Sequence, residues 1–333
     1  MSKALITTVP FAGKSRKPLE LLIDAGIEYL VNPFGRKLKE GELAEMVGDF
    51  DVLIAGTEPV TDMVMSRARN LKLISRVGIG LDSVDLIAAE RRGIHVSYTP
   101  DAPAPAVAEL TVGLMLSLLR FVNVANVQLH RGEWNRHFGR RIPEVTIGII
   151  GVGRIGRRVL SYLSGFGMPR VLVNDINPDI KLNTELKLEW MPKEEIYRQA
   201  DVISLHVPLT AYTKDMIREE HLSLMKPDAL LINTSRGGII NEKDLAGALN
   251  AGHLGGAAID VFEQEPYAGP FGLIDRCLLT SHMGSMSIDC RTRMEIEATE
   301  EVVRFLSGQP MQGLVPQEEY EAQRLGLGIG EKT

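Results

Sequence analysis

Three glycines constrain this chain more than any other feature. An apolar run, Val145-Thr-Ile-Gly-Ile-Ile150, leads directly into Gly151-Val-Gly-Arg-Ile-Gly156, and Ile155 to Leu163 then carries apolar residues at helical spacing. A strand can pass into a helix through a G-x-G-x-x-G spacing when Gly151 makes the tight turn, Gly153 leaves the backbone bare and Gly156 lets the helix lie close to the strand. Such a unit prescribes a parallel α/β sheet, with a helix N-terminus presenting N–H groups to an anion above the turn. The next strand-like run, Val171 to Asn174, is followed by Asp175. That is about 20 residues beyond the fingerprint, where dinucleotide-binding folds carry the acid for the ribose hydroxyls. A carboxylate there repels a 2′-phosphate, so NAD is expected rather than NADP; the alternative is a solvated turn residue. Arg154 is read either as a partner of the pyrophosphate or as a solvated loop arginine.

The same alternation runs through the rest of the chain. Short β-rich runs at 4–8, 29–31, 52–55, 73–77 and 94–97 are separated by segments at 18–25, 40–47, 61–68 and 84–92 with apolar residues three and four apart. A second series follows, with strands expected at 145–150, 171–174, 202–206, 229–233, 256–260 and 277–280 and helices at 155–165, 193–199, 219–224, 242–251 and 287–307. Two doubly wound parallel-sheet α/β domains are the expectation. Three prolines in Thr99-Pro-Asp-Ala-Pro-Ala-Pro105 mark a hinge. Residues 101–283 are assigned to the dinucleotide domain, and 1–100 with 284–333 to a discontinuous substrate domain. Residues 106–130 read as one long helix, apolar nearly all round in its first half, either central to one subunit or at a subunit interface. After the helix at 287–307 the chain reads as a polar, glycine-containing tail ending Gly-Leu-Gly-Ile-Gly-Glu-Lys-Thr333.

Composition narrows the partners. With 333 residues, 24% charged, a net charge of −6 and scattered basic residues, neither a nucleic acid nor an anionic membrane is an expected partner. The longest strongly apolar stretch, 110–119, is about half a bilayer span. Only Cys277 and Cys290 occur, without metal-site spacing, so no metal is expected and a reducing, cytoplasmic location is.

Three polar residues behind strand-like runs carry the chemistry: Arg236 in Asn233-Thr-Ser-Arg-Gly-Gly238, Glu265 in Asp260-Val-Phe-Glu-Gln-Glu-Pro266, and His282 in Thr280-Ser-His-Met-Gly284. A cation can anchor an α-keto acid, and an imidazole held by a carboxylate can pass a proton near neutral pH. His206, in Ser204-Leu-His-Val-Pro208, also ends a strand on the cofactor side.

With these motifs in order, joined by Arg76-Val-Gly-Ile-Gly-Leu-Asp-Ser-Val-Asp85 and Val107-Ala-Glu-Leu110, the sequence resembles the D-isomer-specific 2-hydroxyacid dehydrogenase family. The resemblance is strongest to the phosphoglycerate-dehydrogenase-like branch without a regulatory extension. It implies a Rossmann NAD-binding domain, a flavodoxin-like substrate domain, a homodimer, and an NAD-dependent exchange of hydride with a D-2-hydroxy acid or 2-keto acid. By that resemblance Arg236 binds the substrate, and His282 with Glu265 is the acid/base. Gly151, Gly153, Arg154, Ile155, Gly156, Asp175, His206, Val207, Pro208, Thr213, Asn233, Thr234, Ser235, Asp260 and Gly284 line the cofactor. Arg76 and the backbone N–H groups of Gly78, Ile79 and Gly80 are expected to join Arg236 and His282 in contacting the substrate. The other class of function on this fold is an NAD-sensing, corepressor-like binding protein. Glu58, in Gly56-Thr-Glu-Pro59, is expected to repel a phosphate, with Arg76, Arg36 and Lys37 as candidate anchors for one.

Overall fold

A computed structural model describes residues 1–167, 169–184 and 187–325, so the end of the expected polar tail, 326–333, lies outside the described residues. The chain divides into two compact units, Met1–Pro103 with Met286–Thr333, and Ala104–Ser285.

The first unit holds β1 (Lys3–Ile6), β2 (Glu28–Val31), β3 (Val52–Ala55), β4 (Leu73–Arg76) and β5 (His95–Tyr98) in one parallel sheet ordered β2-β1-β3-β4-β5. Parallel strands need crossovers, and the helices Lys17–Asp24, Glu40–Met46, Asp62–Arg67 and Leu86–Arg91 supply them. Side-chain alternation then divides the core. Leu5, Leu53, Ile74 and Val96 pack on one face with Leu43, Val64 and Leu86, whereas Ala4, Ile6, Ile54 and Leu73 pack on the other with Leu22, Met294 and Ala298. With helices on both faces, every residue of β3 is fully buried, which accounts for its unbroken Val-Leu-Ile-Ala. The helix Ile288–Leu306 supplies the second face, and part of the expected polar tail forms a short helix, Gln317–Arg324.

The second unit has seven parallel strands, β6 (Thr146–Ile150), β7 (Arg170–Asn174), β8 (Leu188–Trp190), β9 (Val202–Leu205), β10 (Leu230–Asn233), β11 (Gly256–Ile259) and β12 (Cys277–Leu279), ordered β12-β11-β10-β9-β6-β7-β8. The order reverses between β6 and β9, which opens a crevice at the carboxyl ends of those strands. β8 escaped the sequence reading because it is three residues long and only Leu188 is buried.

One expectation fails clearly. The helix expected over 106–130 is two helices, Ala104–Leu119 and Val122–His130, bent by 63°. No proline or glycine marks the break. Instead Arg140 N, from the returning chain, donates to Leu119 O at 3.0 Å, and Phe121 takes a left-handed φ of 55°. A Cβ at Gly139 would collide with Leu119 O, so a glycine is needed for that approach. The first helix is apolar all round because ten of its residues are buried, while the second buries none. No single helix among the described residues is long and apolar enough to cross a membrane.

Candidate active site

The crevice between β6 and β9 is built as the three glycines require. Gly151 has φ of 95°, and a Cβ there would strike the His206 carbonyl at the end of β9. Gly156 lies so close to Gly151 O that no side chain fits, whereas a Cβ on Gly153 would meet nothing within 4 Å. The open space therefore lies over Gly153, the N-cap of the helix Arg154–Ser164, which has no side-chain cap of its own. Bare backbone, a helix N-terminus and empty space above them suit a pyrophosphate.

Asp175 stands just beyond β7 with Oδ2 accepting Val152 N at 2.7 Å and Oδ1 accepting Asn177 N at 2.8 Å. The carboxylate thus ties the glycine loop to the neighbouring strand end. A carboxylate has about four acceptor positions, so room for ribose hydroxyls remains. His206 pairs its Nε2 with Ser204 Oγ at 2.9 Å, while its Nδ1 is buried with no partner. Desolvation lowers its pKa to about 4, so the ring is neutral at physiological pH. Thr213 Oγ1 donates to Pro208 O at 2.6 Å and accepts Thr210 N at 2.8 Å, fixing the segment after Val207. Ile155, in the first turn of the helix, packs against the core.

Next along the sheet, β10 ends in a side-chain-knitted turn. Asn233 Oδ1 accepts Ser235 N at 3.0 Å and Ser235 Oγ at 2.7 Å, and Asn233 Nδ2 donates to Arg236 O at 2.8 Å. Arg236 is half-buried, with one guanidinium nitrogen donating to Ser235 O at 2.7 Å. Behind it, Gly237 presses on the Phe262 peptide with no space for a Cβ. Thr234 Oγ1 meets Thr111 Oγ1 at 2.8 Å in the buried interior. Thr111 was not foreseen as a site residue, since a threonine in an apolar helix reads as core.

At the ends of β11 and β12 the proton-handling pair is assembled. Glu265 brings Oε2 and Oε1 to 2.9 and 3.0 Å from His282 Nδ1, and Phe262 N donates to Oε1 at 3.2 Å. With Nδ1 held, Nε2 is the ring atom turned away from the carboxylate. His282 adopts φ of 50°, uncommon for a residue with a Cβ. Asp260, 1% exposed, holds it there. His282 N donates to Asp260 O at 2.7 Å, and the carboxylate accepts Thr280 Oγ1 at 2.6 Å and the backbone nitrogens of Met283 and Gly284, each at 2.9 Å. Thr280 was likewise missed, although its place two residues before the histidine was a usable signal.

Apart from Thr111 these residues lie along the carboxyl edge of one sheet. Residues 112–284 match the family described as D-isomer specific 2-hydroxyacid dehydrogenase, NAD binding domain. The chain belongs to that family. It is an NAD-dependent oxidoreductase acting on 2-hydroxy acids. Among curated relatives, the hydroxypyruvate reductase of Thermotoga maritima is 35% identical over 276 residues, covering 81% of this chain and 89% of that one. The D-3-phosphoglycerate dehydrogenase of Methanocaldococcus jannaschii is 37% identical over 295 residues, covering 87% of this chain but 56% of that longer protein. The crystal structure of a glyoxylate reductase from Paecilomyes thermophila superposes with a TM-score of 0.83 at 28% identity, over 95% of this chain and 99% of that one.

The first unit carries the remaining expected residues of this dehydrogenase, and two expectations need correction. Gly78 has φ of 139°, and its N–H is already engaged, donating to Thr99 Oγ1 at 2.8 Å and Arg76 O at 3.1 Å. The amides of Ile79 and Gly80 make no hydrogen bond among the described residues. Arg76, 4% exposed, folds back under Gly78 and donates to Val77 O, so it supports the turn rather than reaching out as a phosphate anchor. Arg36, the other arginine considered as an anchor, is engaged by Glu42 at 2.7 Å.

Proposed function

We propose that this dehydrogenase reduces a small 2-keto acid of the glyoxylate or hydroxypyruvate kind to the D-2-hydroxy acid. The observation that carries the reading is the Glu265–His282 pair at 2.9 Å on the same sheet edge as the glycine loop. When bound, NADH supplies the hydride. His282 donates a proton from Nε2 to the keto oxygen, and Glu265 at Nδ1 fixes the tautomer and stabilises the imidazolium required beforehand. In oxidation the same nitrogen takes the proton back. Arg236 fits a bidentate grip on the carboxylate and carbonyl, oriented by the Asn233–Ser235 turn. Ile79 and Gly80 are proposed as backbone donors to the carboxylate, with Arg76 holding their loop. For the cofactor, Gly151, Gly153, Gly156 and Arg154 are assigned to the pyrophosphate, Asp175 to the ribose, and Val207, Pro208, Asn233, Thr234 and Gly284 to the nicotinamide end.

NADH oxidation by purified protein against glyoxylate, hydroxypyruvate, phosphohydroxypyruvate and pyruvate tests this directly. Turnover with at least one acid is expected, with His282→Ala lowering kcat by about 10²–10⁴-fold while NADH still binds. Full activity in that variant would refute the assignment.

A homodimer is part of the proposal. The helix Val122–His130 buries none of its residues, and the following segment leaves Trp134 77% and Phe138 100% exposed. The exposed Val122, Val127, Leu129, Trp134 and Phe138 suit burial against a second copy. A monomer in sedimentation equilibrium would refute it. The unbridged, buried Cys277 and Cys290 suit the cytoplasmic location proposed with it.

A further inference from the structure

We infer that Arg157 is a positioning residue for the dinucleotide, aiming the Gly153 N–H at the pyrophosphate; this rests on the assignment of the pyrophosphate to the glycine loop proposed above. Gly153 is the member of the fingerprint with open space around it and no Cβ to hold it. A bare glycine carries the most backbone freedom in such a turn, so something outside it has to fix its peptides. Arg157, in the helix Arg154–Ser164, does so on both sides. Its Nε donates to Val152 O at 3.0 Å and its backbone N donates to Gly153 O at 3.1 Å. Those two carbonyls belong to the two peptides that flank Gly153.

A trans peptide points its C=O and N–H in opposite directions, so a Val152 carbonyl turned toward Arg157 leaves the Gly153 N–H facing away from it. That N–H makes no hydrogen bond among the described residues. The preceding peptide is pinned as well, by Val152 N donating to Asp175 at 2.7 Å. Successive peptides of the loop are thus held by an acid beyond β7 and by an arginine in the first turn of the helix. Asp179 steadies the guanidinium in turn, with Oδ2 3.0 Å from Nη1. With the arginine side chain 47% and the aspartate 32% exposed, that ion pair alone contributes little. The bond to Val152 O matters more, because Val152 is 3% exposed and a buried carbonyl left without a partner is costly. Without Arg157 the peptide turns toward another donor and carries the Gly153 N–H with it, and the cofactor then has to order the loop as it binds.

The test is calorimetric binding of NADH, ADP-ribose and adenosine to the wild type, Arg157→Met and Arg157→Gln. ADP-ribose keeps the pyrophosphate without the nicotinamide, and adenosine has no phosphate. Methionine keeps much of the side chain's length and loses its donors, whereas the glutamine amide nitrogen stands as many bonds from the backbone as the arginine Nε. Arg157→Met is expected to weaken NADH and ADP-ribose about tenfold, the scale of one charge-assisted hydrogen bond, and adenosine by less than about twofold. Arg157→Gln is expected to stay within about threefold of wild type for all three, because the donor to Val152 O is restored. ADP-ribose affinity unchanged in folded Arg157→Met overturns the inference, and so does an equal loss with adenosine, since the residue would then hold up the seat as a whole. Should Arg157→Met not fold, a tenfold loss in Arg157→Gln overturns it, because the cation and not the bond to the loop would be at work. These results leave the pyrophosphate assignment standing. A wild type that binds ADP-ribose no better than adenosine sinks that assignment and the inference together.

Discussion

Replacing Asp260 with asparagine should separate the clamp on the catalytic loop from the proton chemistry it serves. The buried carboxylate accepts on both sides, from Thr280 Oγ1 and Met283 N at Oδ1 and from Gly284 N at Oδ2. An amide has one acceptor oxygen. If it faces Gly284, the NH₂ group meets Met283 N–H; if it faces Met283, the NH₂ group meets Gly284 N–H. Either way one charge-assisted bond is lost, about 1.5–3 kcal/mol, and a buried donor is left unsatisfied, about 1–3 kcal/mol. The combined cost of about 2.5–6 kcal/mol is a large part of a stability of about 5–15 kcal/mol. It corresponds to a fall in Tm of roughly 10 °C for a unit of this size. Some of this cost can be avoided if the loop relaxes and His282 leaves its φ of 50° and its place beside Glu265. That route appears as a loss in kcat, about tenfold to a hundredfold for a displacement near 1 Å. Thermal unfolding and steady-state kinetics on the same preparation read both routes, and NADH fluorescence titration reports whether the cofactor seat survives. An Asp260→Asn protein with Tm within about 2 °C and kcat within about twofold of wild type would refute the clamp, because neither route would have been taken.

Other outcomes are equally direct. Gly156→Ala should cost most of the NADH affinity in a fluorescence titration, since the methyl would collide with Gly151 O and push the helix off the strand; near-normal affinity would contradict the packing. Asp175→Ala should narrow the preference for NAD over NADP in initial-rate assays, and an unchanged preference would remove its role. Burial depresses the pKa of His206 to about 4, below the usual value near 6.5. The unfolded chain therefore binds the extra proton first, so this contribution to stability is complete above about pH 6.5 and is lost as pH falls toward about 4. Urea midpoints at pH 7 and pH 5 should differ less in His206→Asn than in wild type.

Much of the fold was legible because parallel α/β architecture writes itself locally. Strands covered on both faces are short apolar runs, as Val52–Ala55 and Leu230–Asn233 are, and crossover helices repeat apolar residues at three and four positions. The break at Phe121 was not legible, because the cause is Arg140 bonding to Leu119 O from about 20 residues away in sequence. β8 was missed because a three-residue edge strand buries too little to leave a periodic signal. Thr111 was missed because a hydroxyl in an apolar helix says nothing until its partner is known.

The sequence by itself determined the glycine turn, the acid beyond β7 and the order in which arginine, glutamate and histidine follow their strands, since each depends on residue type and local spacing. Only the tertiary structure decided which groups remain available. It engaged the Gly78 N–H with Thr99, brought Glu265 to His282 and brought Glu58 to Thr7. Those outcomes depend on partners that meet at strand ends far apart in the chain. A hydrogen bond belongs to the pair, and no single stretch of sequence contains it.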